Sequence, residues 1–324
     1  MVNIGIIGAG AIGCHLSHCF CESGSDVYLF CRNESYKTIS ENGIKLKLID
    51  KQITEKRVKV IDSNNIINIP KLDYLIICTK LYSFNRNLLD LIKSLINKDT
   101  FIIPPTTGIP HWWFHNTKHN DQFLNNDQIK EYYEIMPPEK CIGMTYWLSS
   151  KQVSPGNINV TNIQRGYPIG TINNYNKVEA KYLSELLING GIESPFVDDI
   201  KSEIFMKCIN SLVFNLIAVL TEKCNGDMIP YQKILFNLMD ELEQISRQEN
   251  LNFSQSSEER ISQTLNSKEH KMSMLQDYIS KKDLECYSLY ESIKNVANIY
   301  KIKLPLCDLY LSFIRFKELS NNKL

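Results

Sequence analysis

Residues 2–7, VNIGII, form a short apolar run that stops at a glycine, the pattern of a buried strand. An apolar helical stretch follows and ends at Gly24, and Val27–Cys31 reads as the next strand. The same signal recurs in LDYLIICTK (72–80), at the start of TFIIPPTTGIPHWWF (100–114), at 141–147, 157–162, 167–171 and near 192–196, with a helix near 177–189. These segments predict one mixed sheet, with the polar residues 115–137 as an excursion from it and Trp112-Trp113-Phe114 as a packing cluster. From Asp198 the period becomes helical: about 200–220, 230–249, 257–267, 281–299, and a last helix from Pro305 to about 318, before the tail SNNKL, which is expected to fray. The pattern predicts an α/β domain over 1–197 followed by an all-α domain over 198–324.

One polar stretch, HKMSMLQDYISKKDLE (270–285), is ambiguous. If residues 273–285 were a single helix, Ser273 and Glu285 would lie roughly 18 Å apart along its axis. Ser280-Lys281-Lys282-Asp283 reads as a capping box, however. It predicts a break near 279–280 and a new helix carrying Glu285 in its second turn.

Composition narrows the function classes. With 36 basic and 36 acidic side chains there is no global field to attract nucleic acid or an acidic membrane surface. The ten cysteines fall mostly in apolar runs and form no C-x-x-C pair, which suggests reduced, buried thiols. The chain opens directly on a strand pattern, and no apolar run is read as a membrane span, so a soluble, cytoplasmic protein is expected.

The chemistry begins at Gly8-Ala9-Gly10-Ala11-Ile12-Gly13, between the first strand and its helix. Gly8 permits a tight turn, Gly10 lets the backbone approach a pyrophosphate, and Gly13 allows the helix to pack on the sheet. Strand, motif, helix and second strand in register predict a dinucleotide-binding domain of Rossmann type. An NAD-binding site would carry Asp or Glu at the end of the second strand, but here Arg32 stands there, which suits the 2′-phosphate of NADPH. Lys80 ends the strand 72–80, where ligands of open α/β sheets bind. In the second half, Lys207, Ser211 and Asn215 form an i, i+4, i+8 polar stripe on an otherwise apolar helix, expected to line a cleft facing the cofactor. Cys14, His15, His18 and Cys19 crowd the first helix, but no further ligands converge on them, and no metal site is expected.

GAGAIG, the lysine ending ICTK, TTGIPHWWF, the SPGNINV and YPIG segments, the helix carrying Lys207 and Asn215, and HKMSMLQD with Glu285 beyond it occur in the order seen in ketopantoate reductases. The sequence resembles that family over most of its length. The resemblance implies a Rossmann domain followed by a helical domain, and reduction of 2-dehydropantoate to pantoate with NADPH. It further implies that Lys207 is the catalytic lysine with Glu285 beside it, that Ser273 holds the substrate carboxylate, that Asn215 binds substrate, and that Lys80 lies near the nicotinamide. Three positions depart from the family pattern. Thr107 replaces an asparagine before Gly108, Ser211 replaces another four residues after Lys207 (with Asn210 adjacent), and Glu285 is followed by Cys286-Tyr287. The first two fall in the expected substrate and nicotinamide pocket. They leave open a reductase of another branched 2-oxo acid or an imine, and, in a different class, a non-catalytic NADP-binding sensor. The expected partner is a small 2-oxo acid, with neither nucleic acid nor membrane, and a homodimer is an open option.

Overall fold

The computed structural model describes residues 1–105 and 107–321; Thr106 and the tail residues 322–324 lie outside the described residues. The opening order is as the pattern predicts: β1 (Asn3–Ile7), α1 (Ala11–Glu22) and β2 (Asp26–Cys31). The reading passes over α2 (Asn33–Asn42) and the strands β3 (Ile44–Lys47), β4 (Gln52–Glu55) and β5 (Lys59–Asp62), each four residues long and rich in charge. Next come β6 (Tyr74–Ile77), α3 (Arg86–Leu95) and β7 (Phe101–Ile103). The polar excursion contains two helices, α4 (Asn120–Phe123) and α5 (Asp127–Ile135). They are followed by β8 (Ile142–Met144), β9 (Trp147–Ser154), β10 (Asn157–Gly166), β11 (Ile169–Thr171) and α6 (Lys177–Asn189).

The strands do not form the single mixed sheet expected. Five of them make an all-parallel sheet in the order β5-β2-β1-β6-β7, a second sheet runs β4-β3-β10-β9, and β11 pairs antiparallel with β8. Burial explains the division. β1, β2 and β6 are buried along nearly their whole length, as a parallel sheet covered on both faces requires. β3 buries only Ile44 and Leu46 and exposes the lysines between them, the alternation of a one-sided sheet. Residues 192–196 form no strand; Phe196 makes one isolated bridge to Ile169.

The chain separates into two compact units: Met1–Thr106 with Asp127–Ile200, and Thr107–Asn126 with Lys201–Leu324. The expected boundary at 197 therefore shifts by three residues, and the segment 107–126 moves to the helical unit. Its aromatic cluster is the reason. Trp112, Trp113 and Phe114 are each 1 % exposed, Trp113 packs on Phe205 with ring centroids 5.9 Å apart, and Lys201 lies 4.5 Å over the Trp113 ring.

The helical unit comprises α7 (Ile200–Thr221), α8 (Gln232–Glu249), α9 (Ser257–Asn266), α10 (Ser273–Ile279), α11 (Cys286–Ile299) and α12 (Pro305–Asn321). Contrary to expectation, α7 is long and apolar enough to span a membrane, with a mean hydropathy of 1.8 over an 18-residue window. Some 72 % of that window is buried inside the protein, as in the central helix of a helical core. Glu241 of α8, itself 5 % exposed, caps α12 by accepting the backbone N–H groups of Leu306 and Cys307 at 2.8 and 2.9 Å.

The predicted break in 270–285 exists, but no capping box makes it. Ser280 ends α10, and Lys281 turns left-handed with φ 53°. The Lys282 N–H bonds to the Asp277 carbonyl (2.9 Å) and the Lys281 N–H to that of Tyr278 (3.0 Å), a Schellman termination. Residues 282–284 belong to no helix or strand, and Glu285 takes the N-cap position of α11 rather than its second turn. The chain's capping box is at Ser256 and Glu259, where α9 begins. A left-handed lysine is strained, so Lys281→Gly is expected to raise stability by about 1 kcal/mol in urea denaturation. A loss of stability would contradict the assigned backbone.

Candidate active site

Two sets of residues carry chemistry, one in each unit. In the first, β1 delivers the chain to Gly8, whose φ of +105° only glycine adopts readily. A Cβ on Gly13 would lie 1.9 Å from the Gly8 carbonyl oxygen, so α1 can pack here only with glycine. A Cβ on Gly10 would meet nothing within 4 Å. Gly10 is also the N-cap of α1, with no side-chain cap and no acidic residue in the first turn. The first-turn N–H groups of α1 are thus without a side-chain cap and the space beside Gly10 is open, features that suit a pyrophosphate. Ala9, Ala11 and Ile12 complete the loop, and the Ala9 carbonyl accepts from Gln152 Nε2 at 3.0 Å. The residues present fit a dinucleotide.

Arg32 is exposed at the N-cap of α2, directly after β2. The nearest acid by strand register is Asp62, opposite Cys31 on β5. Its Oδ1 accepts from the backbone N–H and the Nδ2 of Asn64 at 3.0 and 3.1 Å, within its own turn. The Cys31 thiol beside it is pushed up to about 12 by burial and by the Asp62 charge. Lys80 is half-buried just beyond β6, at the start of the 3-10 turn Leu81–Ser83.

The second set is gathered around α7. Lys207 is half-buried, and burial lowers its ammonium from the ordinary 10.5 to about 8, the neighbouring Cys208 opposing the shift. Two turns on, Asn215 is 1 % exposed and accepts the Met274 N–H at Oδ1 (2.8 Å) while its Nδ2 donates to the Ser211 carbonyl (2.7 Å). This places the first turn of α10, and with it the exposed Ser273, against the Asn215 end of α7. Glu285 is 3 % exposed, and its charge adds to the burial that raises the Cys208 thiol. Cys208 and Asn215 are seven residues apart, about 10 Å along the helix. The break in 270–285 thus ends α10, which is tied to α7 through Asn215, and starts α11 at Glu285.

Two predicted residues have different surroundings from those expected. Asn210, expected to bind substrate beside Ser211, has its Oδ1 accepting from Arg260 Nη1 at 2.9 Å in a buried contact. Arg260 also pairs with Glu243, and this cluster occupies Asn210 structurally. Thr107 belongs to the helical unit instead of the dinucleotide-binding one, because the Gly108 N–H meets the Cys208 thiol and the Ile109 N–H donates to Ser292 Oγ at 3.1 Å.

The sequence reading did not single out His270, Cys208 or Asn225. Burial and the Lys207 charge both lower the His270 imidazole. The Cys208 thiol is pushed up to about 12, first by burial. Asn225, 1 % exposed, bonds through its N–H to the His270 carbonyl (3.0 Å), and its Oδ1 is a buried acceptor without a partner. Only the adjacency of His270 to the phrase KMSMLQD hinted at this group.

The His and Cys residues of α1 are used otherwise. His15 Nδ1 lies 2.8 Å from the Tyr167 hydroxyl, and the Cys14 thiol donates to the Ala9 carbonyl. Among the described residues, His18, Glu22 and Glu55 bring ligand-type atoms within 4.8 Å of one another. The Arg57 guanidinium bridges Glu22 and Glu55 there and supplies the positive charge.

Residues 4–174 match the family described as ketopantoate reductase PanE/ApbA, and residues 199–318 match its C-terminal part. The chain is 25 % identical to a 2-dehydropantoate 2-reductase of Mesorhizobium japonicum, covering 97 % of each chain. It is also 25 % identical to one from Pyrococcus abyssi, covering 99 % of this chain and all of that one. In fold it resembles a 2-dehydropantoate 2-reductase from Geobacter metallireducens (TM-score 0.82, 20 % identity, 98 % and 100 % covered). It likewise resembles a D-mandelate dehydrogenase whose structure holds NADH and anilino(oxo)acetate (TM-score 0.81, 21 % identity, 99 % and 100 % covered). With both family regions matched in order over most of its length, the chain belongs to the ketopantoate reductase family of oxidoreductases.

Proposed function

We propose that the protein reduces 2-dehydropantoate to pantoate with NADPH. The observation that carries this reading is Lys207, a half-buried ammonium on the apolar helix α7 with its acidity raised to about 8, in a chain of this family. Reduction of a 2-oxo acid needs a carboxylate anchor, a proton at the ketone oxygen and a hydride at the carbon. Ser273 offers an exposed hydroxyl for the first. Lys207 supplies the second: its charge stabilises the developing alkoxide, and an acidity near neutrality eases the proton transfer that follows. Glu285 would hold the ammonium or a substrate hydroxyl. A bound NADPH would supply the hydride, and the loop Gly8–Gly13, with Lys80 and Arg32, would orient it.

The coenzyme preference rests on Arg32, exposed directly after β2 where an acid would hold a ribose 2′-hydroxyl. Arg32→Ala is expected to weaken NADPH binding by roughly 1–3 kcal/mol and leave NADH nearly unchanged. Equal affinity of the unmodified protein for both coenzymes would refute the preference.

The substrate is tested by NADPH oxidation across a panel of 2-oxo acids. If the distal hydroxyl is read by the pocket, 2-dehydropantoate should exceed 2-oxoisovalerate, which lacks it, by at least about tenfold in kcat/KM. Ser211, shorter than the amide it replaces, favours the rival reading of a relaxed 2-oxo acid reductase, for which the two substrates would be used about equally. A chain that binds NADPH and oxidises it with no member of the panel would be a sensor. Cytoplasmic location and a homodimeric state remain proposals on the same footing.

A further inference from the structure

Thr79 follows β6 by two residues and precedes Lys80. Its Oγ1 is closed to solvent and has no hydrogen-bond partner among the described residues. A buried hydroxyl in that condition raises the free energy of the folded chain until something supplies its bond. The strands around it fix its place. The Cys78 N–H donates to the Ile7 carbonyl at 2.8 Å and the Gly8 N–H to the Phe30 carbonyl at 3.0 Å, so β2, β1 and β6 end level with one another. Thr79 Cγ2 accordingly lies 3.3 Å from where a Cβ on Gly8 would be. The threonine thus stands beside the first glycine of the loop, and one step of χ1 exchanges its methyl and hydroxyl groups. No hydrogen bond holds the side chain in its rotamer. The sheet order β5-β2-β1-β6-β7 assigns the side: the end of β2 serves the adenosine ribose of a dinucleotide, and β6, across β1 from it, serves the other half.

We infer that Thr79 is a coenzyme-binding residue: its hydroxyl donates to an oxygen of the pyrophosphate, or of the ribose beyond it, on the nicotinamide side of Gly8. The inference rests on the reading of Gly8–Gly13 as the coenzyme loop. The free protein carries the cost of an unmet hydroxyl, and the complex does not. The residue therefore lowers the stability of the free chain while it raises affinity for the dinucleotide, a pairing of signs that a purely structural hydroxyl would not give.

The test reads binding and stability, with no substrate present. Thr79→Val, close in shape but without the hydroxyl, should weaken the preferred coenzyme, NADPH or NADH, by about tenfold or more in a fluorescence titration, the scale of a hydrogen bond to a charged acceptor. The melting temperature of the free variant should be equal or higher, since no buried hydroxyl is left to satisfy. Unchanged affinity overturns the inference. So does a loss of affinity accompanied by a melting temperature lower by more than about 3 °C, which would make the hydroxyl structural. Thr79→Ser, which keeps the hydroxyl, should bind within about threefold of the unmodified protein, and a loss equal to that of the valine variant also overturns the inference. Coenzyme fragments locate the bond. Thr79→Val should weaken ADP-ribose, which has the pyrophosphate and the second ribose, as it weakens the coenzyme, and leave AMP unaffected; equal losses for the two would put the contact on the adenosine half and overturn the assignment. A protein that binds coenzyme but reduces no 2-oxo acid loses its functional reading alone, whereas one that binds neither coenzyme loses both.

Discussion

Lys207→Met is expected to lower turnover of the 2-oxo acid by about a hundredfold or more, the usual scale for losing a general acid. Methionine keeps the apolar stem of the side chain and removes the ammonium that burial disfavours. The sign follows from linkage. The folded value of about 8 lies below the ordinary 10.5, so the folded state releases this proton first, and stability rises with pH between about 8 and 10.5. Below about pH 8 the native state bears the full cost of the buried charge. The pH dependence of stability between about 8 and 10.5 should be absent in the variant, which has no group to titrate there. Turnover by the unmodified protein should fall as pH rises through about 8, where the acid is lost. A variant that keeps its turnover would show that another group donates the proton, and His270 would be examined next.

Arg260→Ala is expected to destabilise the helical unit by about 3–5 kcal/mol, the scale for breaking a buried charge pair. Arg260 is 1 % exposed, pairs with Glu243, donates to Asn210 Oδ1 at 2.9 Å and lies 5.2 Å over the Phe253 ring. Removing it would take the charge partner from Glu243, which keeps the Ser257 hydroxyl at 2.7 Å, and the donor from Asn210 Oδ1. Replacing the pair together, Arg260→Met with Glu243→Leu, should recover most of the loss, because the uncompensated charge goes with its partner. Urea denaturation measures both, and a single-variant loss below about 1 kcal/mol would rule out a dominant role for the pair.

Local features of the chain determined a good deal by themselves. The order β1, glycine loop, α1, β2 was legible because each step depends on short-range sterics: a strand's apolar run, a left-handed Gly8, a Gly13 that must clear the Gly8 carbonyl. The bounds of α6 and the span of α7 followed from periodicity over three or more turns. Lys207, Ser273 and Glu285 stood out through the family phrases, and Lys207 also as a charge on an apolar helix. Tertiary structure decided the rest. Short charged strands such as β3 and β4 become strands only when a partner supplies their hydrogen bonds, so a single sequence does not reveal them. Segment 107–126 joined the helical unit because its buried aromatics found their partners there. Ser280–Asp283 had the spelling of a capping box, but the Schellman turn at Lys281 claimed those residues and moved the start of α11 to Cys286. Asn210 and Asn215 look alike in the sequence, five residues apart on one helix. A helix turns about 100° per residue, so the two face different neighbours, and only packing could assign Arg260 to the first and the Met274 N–H to the second.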